Sequence, residues 1–221
     1  SADLSGKVVL VTGASRGIGH AVALAAAKAG ADMISMDGFD CGGHPGEEDV
    51  GNWVLLAKAG SVLRQHSIPF IASGGCATGT QLAAALSLGA EGMNMGTRFI
   101  ATKEAPVHEN VKKAIVNASE LDTRLIMRSL TNTERVLTNP AVDRLMEKEK
   151  ALGEKLTFSD IVDEVAGVYP TIMMDGDMDA GAWSCGMVAG LVYDIPSVKE
   201  LIDRIMSEAE EIIQSKLKKA V

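Results

Sequence analysis

Three glycines near the start of the chain, Gly13, Gly17 and Gly19, have a spacing that suits phosphate binding. They follow a short apolar run and precede an alanine-rich segment, an order typical of a strand, a tight turn and a helix. Glycine lets backbone N–H groups approach a pyrophosphate, and the helix N-terminus adds positive potential. Asp37 ends the next predicted strand, where an acid would bind the ribose of a dinucleotide. This pattern predicts a site for NAD(P).

A glycine pair, a glycine–threonine pair and one histidine have residue types suited to a phosphate-bearing ligand. The pair Gly74–Gly75 follows Ser73, and Gly96 precedes Thr97, in each case directly after a short apolar run. Such loops hold phosphate with backbone N–H groups, although glycine serves a tight turn equally well. His44 lies in the segment GGHPG, where a neutral imidazole would act as a general base near neutral pH. The alternative for a loop histidine is simple solvation.

The elements that position these residues alternate between strand and helix. Four short apolar runs predict buried strands at Lys7–Thr12, Asp32–Asp37, Ile68–Ser73 and Gly92–Gly96. The segments between them predict helices at Gly17–Ala29, Glu48–His66 and Thr78–Leu88. This alternation predicts an α/β fold with a parallel sheet of about four βα units and right-handed crossovers.

After Phe99 the sequence becomes mainly helical. Helices are predicted at His108–Ser119, at Asn139–Leu152 with an asparagine cap and proline at its first position, and at Pro196–Leu217. The last of these has an apolar stripe that predicts core or interface. We therefore predict a parallel α/β part at 1–105, with a Rossmann-like βα unit at 4–30 and half-barrel-like units at 31–105. A mainly helical part at 106–221 would pack on it.

Residues Leu4–Asp32 resemble the first βα unit of short-chain dehydrogenases and reductases. The resemblance rests on the motif TGASRGIG and on Asp37. The catalytic residues of that family are absent, because neither Tyr169 nor Tyr193 is followed by lysine at the fourth position. The family's Asn-Asn-Ala-Gly stretch is also missing. The segment therefore predicts either a dinucleotide-binding turn or a purely structural βα unit.

Three later motifs closely resemble those of nitronate monooxygenases, formerly called 2-nitropropane dioxygenases, and of the related flavin-dependent enoyl-ACP reductases. The motifs are GFDCGGHPG at Gly38–Gly46, IPFIASGGCATG at Ile68–Gly79 and LGAEGMNMGTRF at Leu88–Phe99. The segment GLVYDIPSVKELIDRIM at Gly190–Met206 is also similar to that family. The likeness extends over residues 31–215, which is most of the chain.

That resemblance implies a TIM barrel that binds FMN and oxidises alkyl nitronates. The three motifs match the ends of the last three barrel strands, where such barrels hold phosphate. His44 is implied as the catalytic base, which removes the carbon-bound proton of a nitroalkane or orients a nitronate. Met187 departs from the pattern, since the family commonly has glutamine there. The implied FMN contacts are Gly42, Gly43, Ser73, Gly74, Gly75, Gly96 and Thr97.

The two resemblances together predict a chimera, natural or engineered, joined within Lys28–Asp32. Only about the last three of the family's eight barrel strands are represented, and four parallel strands cannot close a barrel. Either the sheet stays open, or two copies complete each other as a homodimer. Three functions remain open: an FMN-dependent nitronate oxidase activity, a catalytically inactive α/β scaffold, or an NAD(P)-binding protein.

Composition narrows the range of partners. Twenty-one basic against 29 acidic side chains give a net charge of −8, which argues against nucleic acid as the main partner. The apolar runs are too short to span a bilayer, and no secretion signal is evident, so we expect a cytoplasmic protein. The three cysteines predict reduced thiols without a metal site. The acidic run Asp175–Gly181 lacks the glycine and glutamate that a calcium loop requires.

Overall fold

The computed structural model describes residues 9–12, 25 and 31–219. Gly13, Gly17 and Gly19, with nearly all of the predicted helix Gly17–Ala29, lie outside the described residues, so the dinucleotide turn stays a prediction. The chain divides into two compact units. The first unit contains residues 1–40, 48–95 and 199–221, and the second contains 41–47 and 96–198.

This division differs in three places from the predicted parts, 1–105 and 106–221. Residues 96–105 belong to the second unit. The loop Cys41–Glu47 belongs with the later residues, because Gly43 and Arg135 exchange backbone hydrogen bonds of 3.1 and 2.7 Å. The C-terminal helix belongs with the earlier residues, because the carboxylate of Glu208 accepts a 2.9 Å hydrogen bond from the N–H of Gly79. Both contacts join residues that are distant in the sequence.

The described part of the first unit contains a parallel four-stranded sheet, and the predicted α/β class is confirmed. The strands follow one another in sequence order: β1 (Val9–Thr12), β2 (Ile34–Asp37), β3 (Phe70–Ser73) and β4 (Met93–Asn94). Asp37 pairs in register with Thr12 on one side and with Ser73 on the other, and Ser73 pairs with Asn94. One row across the carboxyl ends of the strands is therefore polar throughout.

Two helices follow β2 and β3 in the first unit. Helix α1 (Asn52–Leu63) continues into a 3₁₀ turn, Arg64–His66, and helix α2 (Gly79–Ser87) begins with a capping box formed by Thr78 and Gln81. Alternate strand residues face a hydrophobic core shared with α1. Its members include Ile34, Met36, Phe70, Ala72, Leu55, Leu56, Ala59 and Leu63. Because side chains alternate along a strand, Ser35, Asp37 and Ser73 occupy the opposite face of the sheet.

Helix α8 (Val198–Ile212) continues into a π-helical turn, Ile213–Leu217. Leu201, Ile205 and Ala209 are buried, as the apolar stripe predicts. Ile202 and Met206 belong to the same predicted stripe but are 44% and 57% exposed. The stripe is thus wider than the face that this helix buries.

The second unit contains an antiparallel hairpin that the sequence did not predict. Its strands are β5 (Thr123–Ile126) and β6 (Glu134–Leu137). A 3₁₀ turn, Arg128–Leu130, lies in the loop between them. This hairpin is an addition to the predicted mainly helical part, and isolated β-bridges join Gly43 to Arg135 and Val136 to Ser184.

The remaining elements of the second unit are short helices around two hydrophobic cores. They are α3 (Thr97–Ile100), α4 (Glu109–Asn117), α5 (Pro140–Leu152), α6 (Phe158–Val165) and α7 (Tyr169–Met173), with 3₁₀ turns at Gly153–Lys155 and Met187–Leu191. The predicted cap of α5 is confirmed, because the side chain of Asn139 accepts a 2.9 Å hydrogen bond from the N–H of Val142. Trp183 and Cys185 are fully buried in one core.

Three further observations concern membrane-spanning helices, metal sites and the cysteines. Within the described residues, no helix is both long and apolar enough to cross a membrane. The same part of the chain contains no group of three or more histidine, cysteine or acidic side chains placed to hold a metal ion. All three cysteines, Cys41, Cys76 and Cys185, are buried, and no disulfide bond joins any of them within the described residues.

Candidate functional site

The polar row of the first unit brings three side chains together at the carboxyl ends of its strands. The carboxyl group of Asp37 is hydrogen-bonded to the side chain of Ser73, and the amide of Asn94 donates a 3.3 Å hydrogen bond to the Ser73 hydroxyl. Asp37 is only 8% exposed, and this burial raises the pKa of its carboxyl group above the ordinary value. Ligands of open parallel sheets bind at this end of the strands.

The loop after β3 has two consecutive glycines in the left-handed region, with φ of 74° at Gly74 and 69° at Gly75. Their carbonyl groups are bound by side chains: the amide of Asn52 donates to Gly74, and the amide of Gln81 donates to Gly75. In a trans peptide the N–H points opposite to the C=O. The N–H groups of Gly75 and Cys76 therefore face away from Asn52 and Gln81. Backbone N–H groups of a glycine turn that are not used by these side chains suit an anion.

Asn52 is a residue that the sequence reasoning missed. Its side-chain amide also donates a 3.1 Å hydrogen bond to the carbonyl of Ser73, and its backbone N–H donates to the carboxylate of Asp40 at 2.9 Å. The side-chain oxygen of Asn52 is buried and has no hydrogen-bond partner among the described residues. No local pattern marks Asn52, because its partners are about twenty residues away in the sequence.

Cys76, directly after this loop, does not contribute a reactive thiol. Burial, followed by the charges of Asp37 and Asp40, raises the pKa of Cys76 to about 12. The thiol therefore stays protonated at neutral pH and is a poor nucleophile. Among the groups at this end of the sheet, backbone N–H groups remain the strongest candidates for ligand contacts.

The second unit holds the histidine that the sequence singles out. The Nδ1 atom of His44 lies 3.0 Å from the carbonyl oxygen of Thr133, in the loop before β6. A carbonyl can only accept, so Nδ1 carries the hydrogen and donates it. In the neutral ring Nε2 then has a free lone pair. His44 is solvent-exposed, so this ring can act as a base toward a ligand.

Gly42 and Thr97 come together around one buried peptide of the second unit. A Cβ atom at Gly42 would lie 2.7 Å from the carbonyl carbon of Cys185 and from the nitrogen of Gly186. The hydroxyl of Thr97 accepts a 3.0 Å hydrogen bond from the N–H of Gly186 and is also hydrogen-bonded to the Cys185 thiol. Both residues therefore have a packing role. A Cβ atom at Gly96 would meet nothing within 4 Å, so that position is open.

A polar cluster lies beside Gly43 in the same unit. The Ser184 hydroxyl donates a 2.6 Å hydrogen bond to the carboxylate of Glu134 and lies 2.7 Å from the hydroxyl of Tyr169. The Ser184 oxygen would lie 3.7 Å from a Cβ atom at Gly43. Burial raises the pKa of Tyr169 above its ordinary value, so its hydroxyl stays protonated at neutral pH. Sequence reasoning did not select Ser184, Glu134 or Tyr169, which are far apart along the chain.

Comparison with known proteins identifies the family to which this chain is similar. A family model described as nitronate monooxygenase matches residues 5–208. That range includes nearly all of the βα unit at 4–30, for which the sequence predicts a separate, dehydrogenase-like origin. FabK from Thermotoga maritima is a similar solved structure, with a TM-score of 0.83 and 33% identity, covering 98% of this chain and 65% of that one.

Two curated relatives are similar to this chain over most of its length. One, from Mycobacterium tuberculosis, is (3aS,4S,5R,7aS)-5-hydroxy-7a-methyl-1-oxo-octahydro-1H-indene-4-carboxyl-CoA dehydrogenase, 31% identical over 84% of this chain. The other is a probable nitronate monooxygenase from Staphylococcus aureus, 27% identical over 88% of this chain. The chain spans 61% and 55% of the lengths of these relatives. With the family model matching most of its length, the chain belongs to the nitronate monooxygenase family.

Proposed function

We propose that this protein oxidises alkyl nitronates with FMN as its cofactor, and that His44 is the base. The observation that carries the proposal is the 3.0 Å contact between Nδ1 of His44 and the carbonyl of Thr133. It leaves Nε2 as the basic atom of an exposed ring. The family membership supplies the reaction class, because the family model is that of nitronate monooxygenase.

In this proposal His44 handles the proton of the reaction. The carbon next to a nitro group bears an acidic proton, which a neutral imidazole can remove to give the nitronate. When the nitronate is supplied directly, the protonated ring instead orients its negative charge. Protonation at Nε2 leaves Nδ1–H bonded to the Thr133 carbonyl, so the ring keeps its orientation through the proton transfer.

The residues present fit the phosphate group of FMN in the first unit. The N–H groups of Gly75 and Cys76 face away from the side chains that bind the preceding carbonyls, and they would hold the phosphate. Gly42, Gly43, Ser73, Gly96 and Thr97 stay in the proposal as further FMN contacts. FMN, when bound, supplies the electron acceptor for oxidation of the substrate.

The experiment begins with the absorbance spectrum of the purified protein and its thermal stability with and without FMN. Flavin-loaded protein is then assayed for oxygen consumption with an alkyl nitronate, and in parallel with a carboxyl-CoA thioester, the substrate class in the name of the M. tuberculosis relative. With a neutral nitroalkane, whose carbon-bound proton must be removed, His44→Asn should lower kcat about 10²–10⁴-fold, the usual contribution of a general base.

The matched control is His66→Asn, because His66 is an exposed histidine in the 3₁₀ turn after α1. This variant should keep the wild-type rate. Full activity of flavin-loaded His44→Asn would refute the role of His44. Failure of the protein to take up flavin would refute the FMN proposal and favour the catalytically inactive scaffold.

NAD(P) binding is the second candidate, favoured by the position of Asp37 at the carboxyl end of β2. This candidate predicts that NAD(P) raises the melting temperature of the protein and that Asp37→Ala weakens this stabilisation. The chimera proposal is linked to it, since both assign residues 4–30 to a dehydrogenase-like unit. An unchanged melting temperature at millimolar NAD(P) would refute this candidate.

We also propose a homodimer in which two four-stranded sheets complete a pseudo-barrel. The sequence-ordered parallel sheet of the first unit supports it, because barrels of this kind need about eight strands. Light scattering after size-exclusion chromatography tests the proposal. A monodisperse monomer at micromolar concentration would refute it.

A further inference from the structure

The loop that carries His44 is attached to β6 and to the loop before it at three points. Gly43 and Arg135 exchange two backbone hydrogen bonds, of 3.1 and 2.7 Å. His44 donates from Nδ1 to the carbonyl of Thr133. The carboxylate of Glu47 accepts from the N–H of Thr133 at 3.1 Å and from its hydroxyl at 2.5 Å. Thr133 therefore stands between two anchors, Glu47 on one side and the Gly43–Arg135 pair on the other.

Glu47 is bound to Thr133 more strongly than a neutral side chain would be. Its two carboxylate oxygens each accept one hydrogen bond, and hydrogen bonds to an ionised group are roughly twice as strong as neutral ones. Thr133 is 1% exposed, so its N–H and hydroxyl depend on the Glu47 carboxylate for their hydrogen bonds. Fixing both the N–H and the side chain of Thr133 also fixes the direction of its carbonyl group.

We propose that Glu47 is a positioning residue for His44, which acts through Thr133. It holds the Thr133 carbonyl where that oxygen receives Nδ1–H, and this selects the tautomer with the lone pair on Nε2. Without Glu47 the carbonyl moves, and the ring redistributes toward the tautomer with hydrogen on Nε2, in which Nε2 has no lone pair to accept a proton. This inference rests on the proposed function for the role of His44, but it concerns a property that exists without flavin.

The test is the tautomer ratio of His44, measured by ¹⁵N NMR of the imidazole in flavin-free protein at a pH where the ring is neutral. Wild type should show predominantly Nδ1–H. Glu47→Ala should lower the ratio of Nδ1–H to Nε2–H at least about fivefold, because two charge-assisted hydrogen bonds to Thr133 are lost. Thr133→Ser keeps both contacts and should preserve the wild-type ratio.

The matched control is Glu48→Ala, which removes an exposed carboxylate at the next position and should leave the ratio unchanged. Circular dichroism establishes that each variant is folded. Should Glu47→Ala unfold, Thr133→Val keeps the N–H contact and removes only the hydroxyl contact, and a smaller fall in the ratio is then expected. A wild-type ratio in a folded Glu47→Ala protein, or in Thr133→Val where only that variant folds, would overturn the proposal.

Activity separates this proposal from the proposed function. In flavin-loaded protein that oxidises a neutral nitroalkane, Glu47→Ala should lower kcat in proportion to the fall in the fraction of rings that carry Nδ1–H, with KM unchanged. Altered tautomers in a protein that oxidises no nitronate would support the positioning role of Glu47 and refute only the nitronate reaction. An unaltered ratio together with reduced activity would refute the positioning role and leave the reaction standing.

Discussion

Replacing Asn52 tests the geometry of the glycine loop most directly. In Asn52→Ala, the carbonyls of Ser73 and Gly74 lose their side-chain donor, and each lost hydrogen bond costs about 0.5–1.5 kcal/mol net. The substitution also removes the buried side-chain oxygen that has no partner among the described residues, which returns part of that cost. The expected loss is about 1.5 kcal/mol in the free energy of unfolding, or about 3–6 °C in melting temperature.

Asn52→Asp makes the prediction sharper, because it replaces the donor by an acceptor of the same shape. The new carboxylate would face the carbonyls of Ser73 and Gly74 and lie near Asp40, so the expected loss exceeds that of Asn52→Ala and amounts to about 3 kcal/mol at neutral pH. Part of this loss should disappear at acidic pH, where the carboxyl group is protonated and again offers a donor.

Urea unfolding followed by circular dichroism measures all three proteins. Gln65→Ala is the control, since the amide of Gln65 donates only an exposed 3.3 Å hydrogen bond within its own helix. It should change the free energy of unfolding by less than about 0.5 kcal/mol. Wild-type stability of Asn52→Asp at neutral pH would show that the Asn52 amide does not donate to these carbonyls, and the orientation assigned to the loop would then be wrong.

Three further predictions concern buried groups. Burial raises the pKa of the Asp37 carboxyl group above 3.8. Between pH 3.8 and the raised pKa, the folded protein therefore binds more protons than the unfolded chain. The free energy of unfolding falls as pH rises through that interval. Asp37→Asn should abolish this fall in urea titrations at acidic and neutral pH, and an unchanged slope would contradict it. Glu164→Ala removes the carboxylate that Lys148 contacts at 2.8 and 2.9 Å. The free energy of unfolding, measured in urea, should fall by only about 1–2 kcal/mol, because the lysine is partly exposed and rehydrates. Wild-type stability would refute this. Burial raises the pKa of Cys76 and Cys185 to about 12, so a thiol reagent should label them at least about a hundredfold more slowly in native than in denatured protein, and equal rates would refute it.

The sequence predicts the sheet well because its signals are local. A short apolar run followed by glycine or a polar residue predicts a buried strand. All four predicted strands are present, and β2, β3 and β4 are shorter than predicted. The start of α5 is equally local, since Asn139 and Pro140 combine a side-chain cap with a proline that needs no N–H donor. Such features depend on neighbours within about one turn of the chain, so a single sequence contains them.

The hairpin of the second unit has no comparable local signal. Its strands, TRLI and ERVL, contain charged residues, and Arg135 is 4% exposed although its type indicates the surface. Left-handed residues flank the 3₁₀ turn between the strands, with φ of 60° at Met127 and 50° at Thr131. Glycine or asparagine normally marks such positions, so the turn is invisible in the sequence. Tertiary contacts with Gly43 and Ser184 stabilise this hairpin instead.

The candidate site shows which part of the motif GGHPG argues for chemistry. A side chain at Gly42 would collide with the Cys185–Gly186 peptide, and Gly43 has a φ of 81° while it pairs with Arg135, so both glycines are explained by packing alone. Packing does not explain an exposed imidazole whose Nδ1–H is bound by a carbonyl 89 positions away. Every residue has a carbonyl, so no sequence pattern selects Thr133. The sequence therefore predicts the kind of group at position 44, whereas its tautomer, and with it the lone pair on Nε2, follows from the fold.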